Sequence, residues 1–191
     1  MIPSKRQPSA TLVTAVLITT AAAGLAALLP LSLTSSAISA AAKPAASAPI
    51  VSGTLTVNGT TTKIRYGYAR LVKGFFDPKK NDVEIVLSDV PLDEATLSDS
   101  STRDKLGHDG KLHAFEITLN ASGTPVSTSF RHEGFSGPSP SGLDSSDVFA
   151  KKSITAKAVD ARYTSSAEHE FFGDTYSFAV SFRLAIAPRK K

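Results

Sequence analysis

One segment constrains the fold more than any other. From Thr175 to Ile186 the chain alternates without a break, with Tyr176, Phe178, Val180, Phe182, Leu184 and Ile186 on one side and Thr175, Ser177, Ala179, Ser181, Arg183 and Ala185 on the other. A period of two is the period of a β-strand, whose successive side chains leave on opposite faces. An apolar row of this length is stable only when covered, since burying each such side chain contributes about 1.5–3 kcal/mol. The chain must therefore supply other strands to wrap around it or stack on it.

Those strands are legible upstream. Gly53 to Val57, Asn58-Gly59 and Thr61 to Val72 read as a hairpin, because Asn-Gly accepts the positive φ angles of a type I′ turn. In the longer run Ile64, Tyr66 and Tyr68 are expected on one face, with Lys63, Arg65, Gly67 and Ala69 on the other. After a breaker-rich loop from Lys73 to Asp82, Val83 to Ser88 reads as a third strand. Leu112 to Leu119 and Val126 to His132 form a second hairpin across Asn120 to Pro125. Val148 to Val159 is a weakly patterned strand or pair of strands, and Thr164 to Asp174 is a connection.

One short helix is expected over Pro91 to Leu97, where Asp93 and Glu94 oppose the positive end of the helix dipole. The polar run Ser98 to Asp104 weakens a longer one. With no long helices between strands, the fold class is all-β: an antiparallel sandwich or partly closed barrel of about seven or eight strands with one short helix.

The 191 residues divide into residues 1–42, a linker at 43–50, a β domain at 51–187 and a basic tail at 188–191. Lys5 and Arg6 precede an uncharged apolar run from Ala10 to Leu33, and small residues including Ala40, Ala41 and Ala42 follow. That order is the order of a secretory signal peptide. The same run is long enough to span a bilayer as an uncleaved anchor, although Thr11, Thr14, Thr19, Thr20 and Gly24 dilute it. The small-residue exit favours cleavage. In both cases the domain is expected beyond the cytoplasmic membrane, periplasmic or secreted in one case and anchored in the other. A membrane partner follows only if the segment stays uncleaved.

Charge narrows the partners. The formal net charge is +4, but all 17 acidic residues lie between Asp77 and Asp174, and six of the 21 basic ones lie near the ends. Between Pro49 and Pro188 the chain carries 15 basic against 17 acidic residues, net −2, so the electrostatic footprint of a nucleic-acid binder is missing. The absence of cysteine excludes disulfides, thiolate nucleophiles and Cys-ligated zinc.

Candidate sites are few. Glu168-His169-Glu170 gathers three potential ligands, yet in an extended segment the carboxylates point away from His169, which suits a solvated turn better than a metal. His113 and His132, on strands that pair, would make an acid/base couple, or two strand-end histidines bonded to backbone or water. Gly134-Phe135-Ser136-Gly137-Pro138 is not a nucleophile elbow, since its second glycine comes one residue early, and Ser136 reads as loop chemistry. Phe75 and Phe76, beside Asp77-Pro78, are the assigned binding residues, an aromatic patch for a protein or a sugar unless they fold back to cap the core. Arg189-Lys190-Lys191 is a solubilising tail or a contact for anionic polymer. No catalytic residue, metal or cofactor is assigned.

The pieces Gly53-Thr54-Leu55-Thr56-Val57-Asn58-Gly59, Phe76-Asp77-Pro78-Lys79-Lys80-Asn81-Asp82-Val83 and Asp109-Gly110-Lys111-Leu112-His113, with the aromatic final strand, carry a family likeness. The arrangement resembles a group of small exported bacterial β-rich proteins of uncharacterised activity. The resemblance implies export and a β fold, and it brings no activity, cofactor or site residue.

Two functions follow. The first is an exported, non-catalytic module that binds a protein or envelope polymer through its loops or a sheet edge. The second is a metal-dependent or histidine-assisted hydrolase, which requires at least three of His108, His113, His132, Glu168, His169 and Glu170 to converge in one pocket.

Overall fold

The computed structural model describes residues 49–189. The signal or anchor at 1–42, most of the linker and the last two basic residues lie outside that range. No described helix is long and apolar enough to cross a membrane.

The final strand organises the domain. It is β10, Asp174–Ala187, and its predicted row is buried as read: Phe178, Val180, Phe182, Leu184 and Ile186 are each at most 9% exposed. One edge of β10 pairs with β1, Ile50–Val57, which pairs in turn with β2, Thr60–Ile64. The other edge takes β8, Ala158–Thr164, with β7, Val148–Ile154, beyond it, and β9, His169–Phe171, at its start. A second group, β3 (Tyr66–Lys73), β4 (Asn81–Ser88), β5 (Ala114–Leu119) and β6 (Pro125–Arg131), pairs antiparallel in that order. The groups join where Ile186 and Ala187 of β10 run parallel to Ala69 and Arg70 of β3. The strand order stays open at β2, β6 and β7, so the architecture is an all-β sandwich and not a closed barrel.

Rings from both groups meet in the core. Phe115 lies 4.5 Å from Phe178 and 4.8 Å from Phe130, and Tyr163 lies 5.0 Å from Phe178, centroid to centroid. These offset and edge contacts suit aromatic quadrupoles. β1 and β10 approach closely because residue 53 is glycine: a Cβ there would stand 2.3 Å from the Ala179 carbonyl oxygen. Asn58 and Gly59, at φ 48° and 75°, make the expected type I′ turn.

The structure corrects the reading in four places. The run Thr61 to Val72 breaks at Arg65, because β2 belongs with β1 and β3 with β4. Across that corner the alternation inverts, so Ile64 and Ala69 are both core residues while Tyr66 is 39% exposed. Among the described residues there are ten strands, since β9 emerges from the segment read as a connection. One pairing is parallel. There are two helices, α1 (Glu94–Ser98) and α2 (Ser100–His108), because Asp99 ends the first and caps the second, accepting from Ser101 N at 2.9 Å and Thr102 Oγ1 at 2.7 Å.

Arg103 of α2 holds the helices to the sheet. Only 1% exposed, it reaches Glu116 through Nε at 2.7 Å and Nη2 at 3.3 Å, Glu84 through Nη2 at 3.3 Å, and the Thr96 and Leu97 carbonyls at 3.1 and 2.5 Å. Burial opposes its charge, but Glu116 and Glu84 outweigh that and raise its pKa.

Candidate functional site

The register of β5 and β6 opposes Ala114 to Arg131, which brings His113 and His132 together one position further out. Their rings stand 4.4 Å apart, tilted by 44°. Asp89, just past the end of β4, meets the same point: its Oδ2 accepts from His113 Nδ1 at 2.5 Å and its Oδ1 from the His113 amide at 2.9 Å. On the far side of the ring, Glu133 Oε2 accepts from His113 Nε2 at 2.6 Å. Both nitrogens of His113 therefore face carboxylate oxygens, an arrangement that favours the protonated ring.

His132 is set differently. It is 4% exposed, and Nδ1 accepts the Gly134 amide at 2.9 Å, which leaves the proton on Nε2, facing Thr62 Oγ1 at 3.5 Å. Burial, then the charge of His113, lower its pKa below the ordinary 6.5. Burial also pulls on His113, but the hydrogen bonds and charges of Asp89 and Glu133 prevail and raise it above 6.5. Glu133 is lowered against its partial burial by its own backbone hydrogen bond and by His113. The pKa values of two neighbouring imidazoles are thus pushed in opposite directions.

The loop after His132 is fixed in place. Asn58 Nδ2 donates to the Gly134 carbonyl at 2.8 Å and to Asp174 Oδ1 at 2.9 Å, and Asp174 Oδ2 accepts from Ser136 N at 2.7 Å and Ser136 Oγ at 2.9 Å. Ser136 is therefore spent on a loop tie, and no histidine accepts from its hydroxyl.

His169 forms a separate site. Its Nε2 donates to Asp147 Oδ1 at 2.8 Å and its Nδ1 faces Asp144 Oδ2 at 3.4 Å, so carboxylates occupy opposite edges of the ring. Tyr176 and Phe135 stand between it and His132, at 5.1, 6.0 and 6.3 Å along that chain of rings. The same two aspartates follow burial in pushing Tyr163 up to about 12. Glu168, Glu170 and His108 are exposed. Of the six residues the hydrolase reading needs, only His113 and His132 converge.

At the other end of β3 the assigned aromatic pair stands in solvent. Phe75 and Phe76 are each 75% exposed, edge to face at 4.9 Å, and do not cap the core. Their loop is nonetheless ordered by hydrogen bonds: Asp82 Oδ2 accepts from the Phe75 amide at 2.9 Å, and Gly74 N donates to the Lys80 carbonyl at 2.9 Å. Beside it runs a groove of about 640 Å³ lined by Tyr68, Val72, Lys73, Val86, Leu97 and Leu184, with Arg189 at its rim. Its size suits a small ligand or an inserted side chain.

Sequence reasoning missed Asp89, Glu133, Asp144 and Asp147. Asp89 was within reach of the register argument, because Ser88 opposes Ala114 and so residue 89 opposes His113. No protein-family model, curated protein or solved structure matches this chain.

Proposed function

We propose that the domain is an exported, non-catalytic binding module of the cell envelope or extracellular space, and that the Phe75–Phe76 loop with its neighbouring groove is the contact surface. The observation that carries this reading is two adjacent phenylalanines held 75% exposed in a hydrogen-bonded loop, where folding inward would have removed them from water. The groove lining carries charge of both signs, Arg70, Lys73 and Arg189 with Glu84 and Glu94, so its apolar walls suit a partner, protein or polymer, that presents an apolar anchor. The hydrolase reading draws no comparable support, since it requires at least three of its residues in one pocket and only His113 and His132 meet.

The test is binding of the full chain to isolated envelope fractions, with wall polymer and envelope protein assayed apart. A Phe75→Ala/Phe76→Ala variant is expected to bind at least about tenfold more weakly, the loss typical of an interface anchor. Equal binding by both chains would remove this surface from consideration.

A further inference from the structure

We propose that His113, His132 and Glu133 bind one divalent transition-metal ion of zinc type, with Asp89 as the positioning residue behind His113. Each of the three offers one ligand atom, and these atoms lie within 4.8 Å of one another. The donor set of two imidazoles and a carboxylate is one that zinc accepts, in tetrahedral geometry at about 2.0–2.2 Å per ligand, which puts ligand atoms roughly 3.3 Å apart. Glu133 Oε2 now stands 2.6 Å from His113 Nε2 and 3.7 Å from His132 Nδ1, so that spacing brackets the required one. The side chain that must adjust is the mobile one. Glu133 is 46% exposed and free to swing, and the Gly134 amide, which now donates to His132 Nδ1 at 2.9 Å, must turn aside for that nitrogen to ligate.

The surroundings are those of a metal site as well. Asp89 accepts the Nδ1–H of His113, leaving Nε2 as the nitrogen free to ligate, and its second oxygen is held by the His113 amide. A carboxylate behind a ligating histidine fixes the tautomer and makes the imidazole more basic. The ion would take the place of the proton between His113 Nε2 and Glu133 Oε2, and at His132 Nδ1 it would displace the hydrogen bond from the Gly134 amide, which keeps its hydrogen. One proton therefore leaves to solvent on binding. His169 is the contrasting case, because its two carboxylates sit on opposite edges of the ring and no third ligand joins either one.

Such an ion would tie the entry of β5 to the exit of β6 and hold the loop that Asn58 and Asp174 anchor. It lies at the opposite end of β3 and β4 from Phe75 and Phe76, so this inference and the binding-module reading fail independently.

The experiment is calorimetric titration of zinc chloride into the metal-free full chain at about pH 7.5, in buffers of different ionisation heat. Saturation at one zinc per chain is expected, with about one proton released and a rise in Tm of about 5–10 °C at a hundredfold excess over Kd. Glu133→Gln, at an exposed position that folding does not need, should weaken binding at least tenfold, and Asp89→Asn should weaken it about 10- to 100-fold. His108→Ala should change nothing. The proposal is overturned if no saturable binding occurs up to about millimolar zinc, a range that covers even weak sites. It is also overturned if Glu133→Gln binds like the parent chain, or if zinc moves the imidazole NMR signals of His108 or His169 rather than those of His113 and His132 in the unmodified protein.

Discussion

Replacing Arg103 with alanine is the sharpest test of how the two helices are held. The substitution removes five hydrogen bonds and leaves Glu116, a buried residue, facing the vacated space. Removing one partner of a buried ion pair costs about 3–5 kcal/mol, most of it the penalty of the stranded charge. Here the stranding is incomplete. Glu116 keeps Arg131 Nη2 at 3.6 Å and Ser129 Oγ at 3.4 Å, Glu84 keeps Arg70, and the carbonyls of Thr96 and Leu97 lie near enough to the surface to meet water. The expected loss is therefore at the low end, about 3 kcal/mol, still a large fraction of an ordinary domain's 5–15. Urea unfolding would measure it, followed by far-ultraviolet circular dichroism or by tyrosine emission, since the chain has no tryptophan. The companion variant Arg103→Met/Glu116→Leu removes both charges and fills the space with apolar atoms, and should return to within about 1 kcal/mol of the parent. A single variant within 1 kcal/mol of the parent, or a double variant no more stable than the single one, would refute the claim that a stranded carboxylate dominates the loss.

Three further outcomes follow from the same contacts. Phe178→Ala, which empties the point where Phe115, Phe130 and Tyr163 meet, should cost about 3–5 kcal/mol in the same urea assay, whereas Phe75→Ala/Phe76→Ala should stay within about 0.5 kcal/mol. Phe172 holds φ 53° with a ring 77% exposed, so Phe172→Asn should raise stability by up to about 1 kcal/mol by relieving the left-handed backbone, and a loss would show that the ring has a use in the free domain. In the metal-free chain, stability attributable to His113 is complete below pH 6.5 and fades as pH rises through its raised pKa, while His132 withdraws stability as pH falls from 6.5 toward its lowered one. The two together give a maximum near 6.5. Urea midpoints across that range should show it, and His113→Gln should flatten the alkaline arm and shrink the acid one, since the His113 charge helps to lower His132.

How far the chain announces this fold differs from residue to residue. The β10 row and the Asn58-Gly59 turn were legible because their signals are local: a period of two over a long segment, and a dipeptide that accepts positive φ. The pairing of His113 with His132 followed from the predicted hairpin alone. Arg103 was not legible, and the reason is physical. It sits in a polar run, Ser98 to Asp104, that apolar periodicity reads as loop, and what makes it a core residue is Glu84 on β4 and Glu116 on β5, remote in the chain. Phe171-Phe172 was read as a connection, and β9 with its turn arises from pairing along β10 that periodicity does not report.

The long final strand also explains why the two candidate surfaces sit where they do. β10 serves both groups of strands, pairing through Tyr176–Arg183 with β1, through Asp174–Tyr176 with β9 and through its last two residues with β3. The groove lined by Leu184, Tyr68 and Val72 opens near the C-terminal end of β10 and reaches Lys73, two residues before Phe75. At the N-terminal end of β10 the layers are closed by polar ties instead, with Asp174 held by Asn58 and Ser136 and the histidines just beyond. Shortening the shared contact should therefore affect the two ends unequally. An Ile186→Ala change is expected to cost about 2–5 kcal/mol, as removal of a buried isoleucine does, and to enlarge the groove. Hydrogen exchange should quicken in β3 and at the end of β10 while the His113 and His132 amides keep their protection. Uniform loss of protection across both ends would mean that the sandwich opens as one unit and that the groove is no independent feature of the shared strand.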